Sequence, residues 1–358
     1  MTRLRAVAAT VVIIMAGCGQ TDTAGPERAG AWRTKASWPF SLNVRGRDTV
    51  VAVGGNRVVT LDTATGRERW RAEVAQVTHY EPALDDDTVV MSADGRFAAF
   101  ERTSGARRWE ASVGEHAGGV VLTRTGADRV ALVTTERGVV AALDARSGHA
   151  RWSAQVPGEI WAAPAAGAPA GVGAVVWGGD EQRLRVFDLA TGAVRWEATV
   201  ERGASAPVIQ DGVVVLGEGN GNFAARIVAR DLASGAERWS VPAPASFESG
   251  VTPGAAGDDV AVCDHFGTVT LVDARSGKER WHTALRVPIL ETRVVVTRHD
   301  VVIRTYGGKI VVLDRASGRV VRRLEAEGFP VGFGVGQGRL VFALRLGRPD
   351  RVESERLS

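Results

Sequence analysis

Residues 62–70 read DTATGRERW, and the same order of acidic residue (Asp, once Glu), hydroxyl, Gly and Trp returns at nearly constant intervals almost to the C-terminus. The later copies are ERTSGARRW ending at Trp109, DARSGHARW at Trp152, DLATGAVRW at Trp196, DLASGAERW at Trp239, DARSGKERW at Trp281 and a decayed DRASGRVVR ending at Arg322. Their glycines, Gly66, Gly105, Gly148, Gly192, Gly235, Gly277 and Gly318, stand 39, 43, 44, 43, 42 and 41 residues apart. Such a period, filled with valine and turn residues and without helical patterning, predicts an all-β fold, a β-propeller with one four-stranded blade per repeat.

Each copy reads as a hairpin. The Asp carboxylate accepts from backbone amides two or three residues on, and the Thr or Ser hydroxyl assists, so the turn is held locally. The glycine takes the positive-φ position that closes such a loop. Four residues later the tryptophan stands on the outer strand, where a large apolar face is available to the neighbouring blade. Strict alternation turns the preceding arginine (Arg69, Arg108, Arg151, Arg195, Arg238, Arg280) away from that contact, onto an exposed blade edge. Two readings follow, a positive ring for an acidic partner or charge that discourages edge-to-edge pairing, and the second is favoured.

The motif, with Asp, Thr/Ser-Gly and Trp in register, resembles the tryptophan-docking repeat of the quinoprotein (PQQ-like) propeller family, over nearly the whole chain. That family includes quinone-dependent dehydrogenases and non-catalytic lipoproteins such as the propeller subunit of the outer-membrane β-barrel assembly machinery. The resemblance therefore implies a propeller but does not choose between catalysis and binding. A dehydrogenase of the family is expected to carry a catalytic aspartate, a calcium site of carboxylates and amides, and aromatic stacking on the cofactor. No such set can be matched position by position here, and the adjacent-cysteine pair of many of its alcohol dehydrogenases is absent. No catalytic residue, cofactor or metal is assigned.

Residues 1–17 read as an export signal: Arg3 and Arg5 precede an apolar run, and Met15-Ala16-Gly17-Cys18 is similar to a lipobox, which makes Cys18 the lipidation site. The run is shorter than the ~20 residues of a spanning helix. Residues 18–30, polar with Gly and Pro, read as a flexible tether, and 31–358 as the propeller. Trp32 keeps the repeat interval, so residues 31–36 are expected to supply the outer strand of the last blade. Eight valine-rich middle strands, from Thr49–Val53 to Arg339–Ala343, imply eight blades. Seven blades with a loose C-terminal extension are the alternative.

Composition agrees with a large all-β domain: 45% hydrophobic residues with 43 glycines among 358. A charge of +3 from 44 basic and 41 acidic residues is too balanced for a nucleic-acid footprint. Cys263 is the one cysteine besides Cys18, so no disulfide lies within the propeller.

Alternation places the Asp-x-x-Thr/Ser-Gly turns on one face of the disc and the loops after each Trp and each middle strand on the other. The second face is the more variable, and variable loops on a rigid scaffold are where binding resides. Its candidate residues are Tyr80, His116, Glu159, Trp161, Phe247, Glu248, Asp264 and His265. Trp161 and Phe247 are candidates for stacking on a ligand, with loop packing the favoured alternative. Cys263-Asp264-His265 carries three ligand types, but neighbours on an extended chain point to alternate sides, which disfavours a metal. The expected function is a non-catalytic, membrane-anchored lipoprotein that binds a protein or envelope component on the outer side of the cytoplasmic membrane. A quinone-dependent dehydrogenase and a small-ligand sensor are the alternatives.

Overall fold

A computed structural model describes residues 31–357 apart from 54, 79, 168–170, 179–180, 220–224, 248–250, 290–291, 326–328 and 346–349. The expected signal and tether over residues 1–30 lie outside the described residues. Every regular element described is a strand, and the strands form eight four-stranded antiparallel sheets. Seven blades are continuous in the chain, over residues 39–73, 83–111, 117–155, 165–200, 208–242, 254–284 and 295–325. The eighth takes Phe329–Gly336, Arg339–Arg345 and Arg351–Arg356 from one end of the chain and Trp32–Lys35 from the other, with Trp32 opposite Ser354 and Lys35 opposite Arg351. The ring therefore has eight blades and is closed by its two ends, as Trp32 requires.

Middle strands are valine-rich because both their faces are covered. Thr88–Ala93, Val172–Trp177 and Val213–Glu218 are buried at every position. Alternate residues serve alternate neighbours: Val213 and Val215 join the core shared with blade 6, and Val214 and Leu216 the core shared with blade 4. Each interface has such a cluster, including the one between Val302, Ile310 and Val312 of blade 7 and Phe333, Leu340 and Phe342 of blade 8. Full burial of each such side chain contributes about 1.5–3 kcal/mol before the entropy of ordering it.

The repeat tryptophans fasten one blade to the next. Each indole N–H donates to the carbonyl of the residue after the next motif's first position: Trp32 to Thr63, Trp70 to Arg102, Trp109 to Ala145, Trp152 to Leu189, Trp196 to Leu232, Trp239 to Ala274 and Trp281 to Arg315, at 2.7–3.0 Å. The ring also lies flat against that motif's glycine. A Cβ on Gly235 would stand 2.7 Å from Trp196, and one on Gly66 2.3 Å from Trp32. These glycines also have φ of +69 to +76°, so backbone conformation and indole contact independently demand glycine.

Blade 7 has Arg322 where the others have Trp. The next blade, assembled from both chain ends, has no glycine turn on which an indole could rest. Arg322 instead donates to the carbonyl of Arg356 at 2.8 Å and pairs with Glu355. The decay of the seventh motif is thus matched to its neighbour.

The arginine before each Trp does not sit where strict alternation puts it. Thr60 opposes Trp70 and Leu61 opposes Glu68, so Arg69 is the extra residue of a β-bulge. The same skip falls on Arg108, Arg151, Arg195, Arg238 and Arg280. A bulge re-aims its side chain, and these guanidinium groups turn onto aspartates of their own blade: Arg108 bidentate on Asp87 at 2.8 Å, Arg151 on Asp128 and Asp144, Arg195 on Asp188, Arg238 on Asp231, Arg69 on Asp48 and Arg280 on Asp273. A free positive ring is not formed.

The motif turns behave as expected. Asp231 Oδ1 accepts from Ala233 N, Ser234 N and Ser234 Oγ at 2.8–3.0 Å, and Asp144 repeats the pattern with Arg146 and Ser147. Backbone and hydroxyl donation from Ser234, then Arg238, hold the Asp231 carboxyl at about 2. Burial pushes Asp144 upward, but Arg151, Ser147 and Arg146 together bring it to about 2.

Replacing Trp109 by Ala is expected to cost about 3–5 kcal/mol in urea unfolding, and Arg322→Trp to give no gain, because blade 8 has no motif turn between its third and fourth strands. The depressed carboxyls set an acid dependence: their contribution is complete above the unfolded value and is lost as pH falls from 3.8 to about 2. The melting-temperature deficit of Asp231→Asn should accordingly be largest at neutral pH and vanish by about pH 2.

Candidate functional site

The loops after each Trp and each middle strand share one face, opposite the motif turns. They are held by backbone bonds that run from blade to blade. Glu136 N donates to His116 O at 3.0 Å and Glu136 O accepts from Ile160 N at 3.2 Å. His265 repeats this with Ser246 O and Ile289 N, both at 2.8 Å. At the ends of the middle strands, Thr135, Asp264 and Thr305 accept from the amides of Val139, Thr268 and Lys309, closing the next turn. The face is therefore a braced surface with side chains projecting from fixed positions.

Two of the expected residues meet there. A cleft of about 850 Å³ over blades 2 and 3 is lined by Tyr80, His116, Glu136, Asp94, Glu115 and Gln76, among others. The Tyr80 hydroxyl donates to Glu136 Oε1 at 3.0 Å. Burial, and then the Glu136 charge and hydrogen bond, raise the Tyr80 phenol well above its ordinary range. His116 is exposed on the cleft wall with φ of +57°, a left-handed backbone uncommon for a residue with a side chain.

The other candidates are dispersed. Glu159 and Trp161 lie between blades 3 and 4, outside the cleft; Trp161 is 52% exposed, and Glu159 stands 3.9 Å from Arg137. Phe247 is buried in the core between blades 5 and 6, flat against Gly217, where a Cβ would stand 2.4 Å from its ring. It packs and offers no face to a ligand. Glu248 lies outside the described residues. Asp264 is buried and spends one oxygen on Thr268 N at 2.7 Å; burial raises its carboxyl against the amides that lower it. His265 is partly buried and meets Phe266 edge-on, centroids 5.3 Å apart. Cys263 belongs to the core between blades 6 and 7, its thiol pushed up by burial and by Asp264. The three adjacent ligand types serve a core, a turn and a surface.

Sequence reasoning missed Glu136, since nothing local joins it to Tyr80, 56 residues away. It also missed Trp38, 49% exposed under the Arg345 guanidinium. Trp38 stands off the repeat register, which was the available signal. On the axis it missed Arg293. This guanidinium reaches Glu81 Oε2 at 2.8 Å, Phe333 O at 2.8 Å and Asn43 Oδ1 at 3.3 Å, joining the entry to blade 7 with blades 8, 1 and 2. Asn43 Nδ2 donates onward to Pro82 O at 2.7 Å, and Arg304 to Pro330 O at 3.1 Å. Burial raises the Glu81 carboxyl, opposed by Arg293 and Arg304.

A calcium-bound quinone, which the resemblance to the dehydrogenases implies, calls for carboxylate and amide ligands. Among the described residues Arg293 and Arg304 face a single carboxylate on the axis, Glu81, a donor set that does not fit a divalent cation. Among the described residues no group of three or more His, Cys, Asp or Glu is placed to hold a metal ion.

The family model for the outer membrane protein assembly factor BamB matches residues 24–159, 93–245 and 224–343. Among curated proteins, the chain is 34% identical over 175 residues to the serine/threonine-protein kinase AfsK of Streptomyces griseus, covering 44% of this chain and 20% of that one. It is 30% identical over 168 residues to the outer membrane protein assembly factor BamB of Alteromonas naphthalenivorans, covering 43% of this chain and 39% of that one. The chain thus spans well under half the length of either relative. Among solved structures, BamB of Moraxella catarrhalis superposes with TM-score 0.66 at 16% identity, over 92% of this chain and 96% of that one. A europium-containing methanol dehydrogenase gives 0.64 at 13%, over 87% and 84%. At such identities the superpositions show a shared fold.

Arg293→Met is expected to destabilise the ring by about 1–2 kcal/mol, less than for a dry ion pair because water reaches part of both side chains. With Glu81→Ala added, the loss should fall short of the two single losses together, as read from a denaturation double-mutant cycle.

Proposed function

Because the chain belongs to the family of the outer membrane protein assembly factor BamB, we propose that it is a non-catalytic propeller whose loop face docks a protein or envelope-component partner. In this reading residues 1–17 are removed, lipid on Cys18 anchors the protein to the outer side of the cytoplasmic membrane, and residues 18–30 tether residues 31–358. The observation that supports docking is the placing of exposed aromatics. Trp38, Trp161, Phe266 and Tyr306 are 49%, 52%, 64% and 56% exposed, and all four project from loops of that one face. Large aromatic side chains on a braced surface are the residues that dominate protein interfaces. The guanidinium-rich axis supports a non-catalytic role over quinone chemistry.

A second reading, a sensor for a small envelope ligand, draws on the cleft at Tyr80, His116 and Glu136. Its volume of about 850 Å³ lies in the range of small-molecule sites. A ligand at 100 times its Kd would add about 2.7 kcal/mol of stability, visible as a rise in Tm.

Cross-linking in intact membranes tests the leading reading. A partner captured by the wild type should be lost with Trp161→Ala, Phe266→Ala and Tyr306→Ala combined, while Tm stays within a few degrees. Stoichiometric binding of quinone and calcium with dye-linked alcohol or sugar oxidation would overturn it. An intact N-terminal mass without acyl chains would remove the anchor.

A further inference from the structure

Both ends of the described chain leave the propeller on the motif-turn face. Trp32 starts the outer strand of blade 8 beside the motif turn of blade 1, where its indole meets Thr63 O, and Leu357 N closes onto Gly338 O in a turn of the same face. Around that exit the same face is basic. Lys278 of blade 6, Arg298 and Arg319 of blade 7, and Arg47 and Arg67 of blade 1 are exposed, and none forms a salt bridge with a described carboxylate. Blades 6, 7, 8 and 1 are contiguous in the closed ring. Asp258, Glu68 and Glu279 are exposed carboxylates of the sector, the last two held by Arg71 and His282, and Asp314, which Arg319 lowers at longer range, already binds Ser317. On the far side of the ring, the motif turns of blades 4 and 5 carry Ala190, Ala193, Ala233 and Ala236 instead. The opposite face is mixed in charge: exposed Asp94, Glu115, Glu159, Glu181 and Glu201 stand among Arg96, Arg137, Arg202, Arg286 and Lys309.

We infer that the motif-turn sector of blades 6, 7, 8 and 1 is a docking surface for an anionic phospholipid membrane, which tips the propeller so that its loop face points away from the bilayer. The charge is of the right sign and is concentrated where the chain departs. The described chain begins in this sector, at Trp32, so an anchor ahead of it would bring the sector to the lipid first. Each cation at an anionic surface strengthens partition about fivefold, within a Debye length of ~8–10 Å. The proposal takes its membrane from the anchored reading above, but the surface chemistry stands on these side chains alone.

The test uses mature chain purified from membranes, carrying one added cysteine at Ala316 in the sector, Ala190 across the ring or Ser112 on the loop face. Cys263 is buried and stays silent to labelling. A fluorophore on each site is read for quenching by spin-labelled lipid, on vesicles of phosphatidylcholine alone or with 30 mol% phosphatidylglycerol, an arbitrary anionic fraction of roughly physiological order. The expected result is quenching at position 316 well above that at 190 and 112, on anionic vesicles alone. Lys278→Glu with Arg319→Glu and Arg67→Glu should abolish it and, without an anchor, lower vesicle co-sedimentation more than a hundredfold, from about fivefold per cation. Equal quenching at the three sites, or indifference to lipid charge or to the charge reversals, would overturn the proposal. The N-terminal mass judges the anchor separately: an unmodified Cys18 removes the anchored reading, and the quenching pattern of the same variants carrying Cys18→Ser then judges the sector.

Discussion

The structure rests on an indole laid against a glycine of the next blade, with its N–H on the adjoining carbonyl. That contact combines apolar burial, a hydrogen bond and a steric demand for glycine at one point, and it recurs seven times from Trp32 to Trp281. It ties the outermost strand of each blade to the last turn of its neighbour, while the valine-rich middle strands fill the wedge between them. An outer strand, otherwise the unpaired edge of its sheet, is thereby held by its side chain. The ring closes because Trp32 makes the same contact from the opposite end of the chain.

The exception follows from the same constraint. An indole needs the motif's glycine turn to rest on, and blade 8 has no such turn, since its third and fourth strands come from different ends of the chain. Arg322 takes the place and reaches a backbone carbonyl that the C-terminal strand leaves available. The bulge at each motif has a comparable logic. It brings Trp70 opposite Thr60 while turning Arg69 onto Asp48, so one irregular residue sets both the docking side chain and the ion pair that braces the hairpin.

Rigidity of this kind frees the loop face for recognition. Its turns are capped by Thr135, Asp264 and Thr305, and its loops are joined blade to blade by backbone bonds, so Trp161, Phe266 and Tyr306 are displayed on a surface that does not depend on them for folding. The axis is braced by Arg293, which contacts three other blades. A europium-containing methanol dehydrogenase shares the wheel with this chain, and function is set by what the wheel carries.

Fold, blade number and the closing strand were legible in the sequence, because a repeated local unit reports its geometry at every copy: the turn residues, the glycine and the indole lie within nine positions of one another. The broad family was legible for the same reason. The candidate site was legible only in part. Tyr80 and His116 could be named from the variability of their loops, but Glu136, which completes their cleft, and Arg293, which braces the axis, act across blades far apart in the chain. Phe247 and Trp161 look alike as loop aromatics, yet one lies flat against Gly217 in a core and the other stands in solvent. The sequence by itself determined what each blade is and how it grips the next, since those interactions are local or recur with the repeat. Only the tertiary structure decided which loop residues meet, which cations keep a partner and which face the chain ends leave from, because these depend on the closing of a ring whose neighbours in space are not neighbours in sequence.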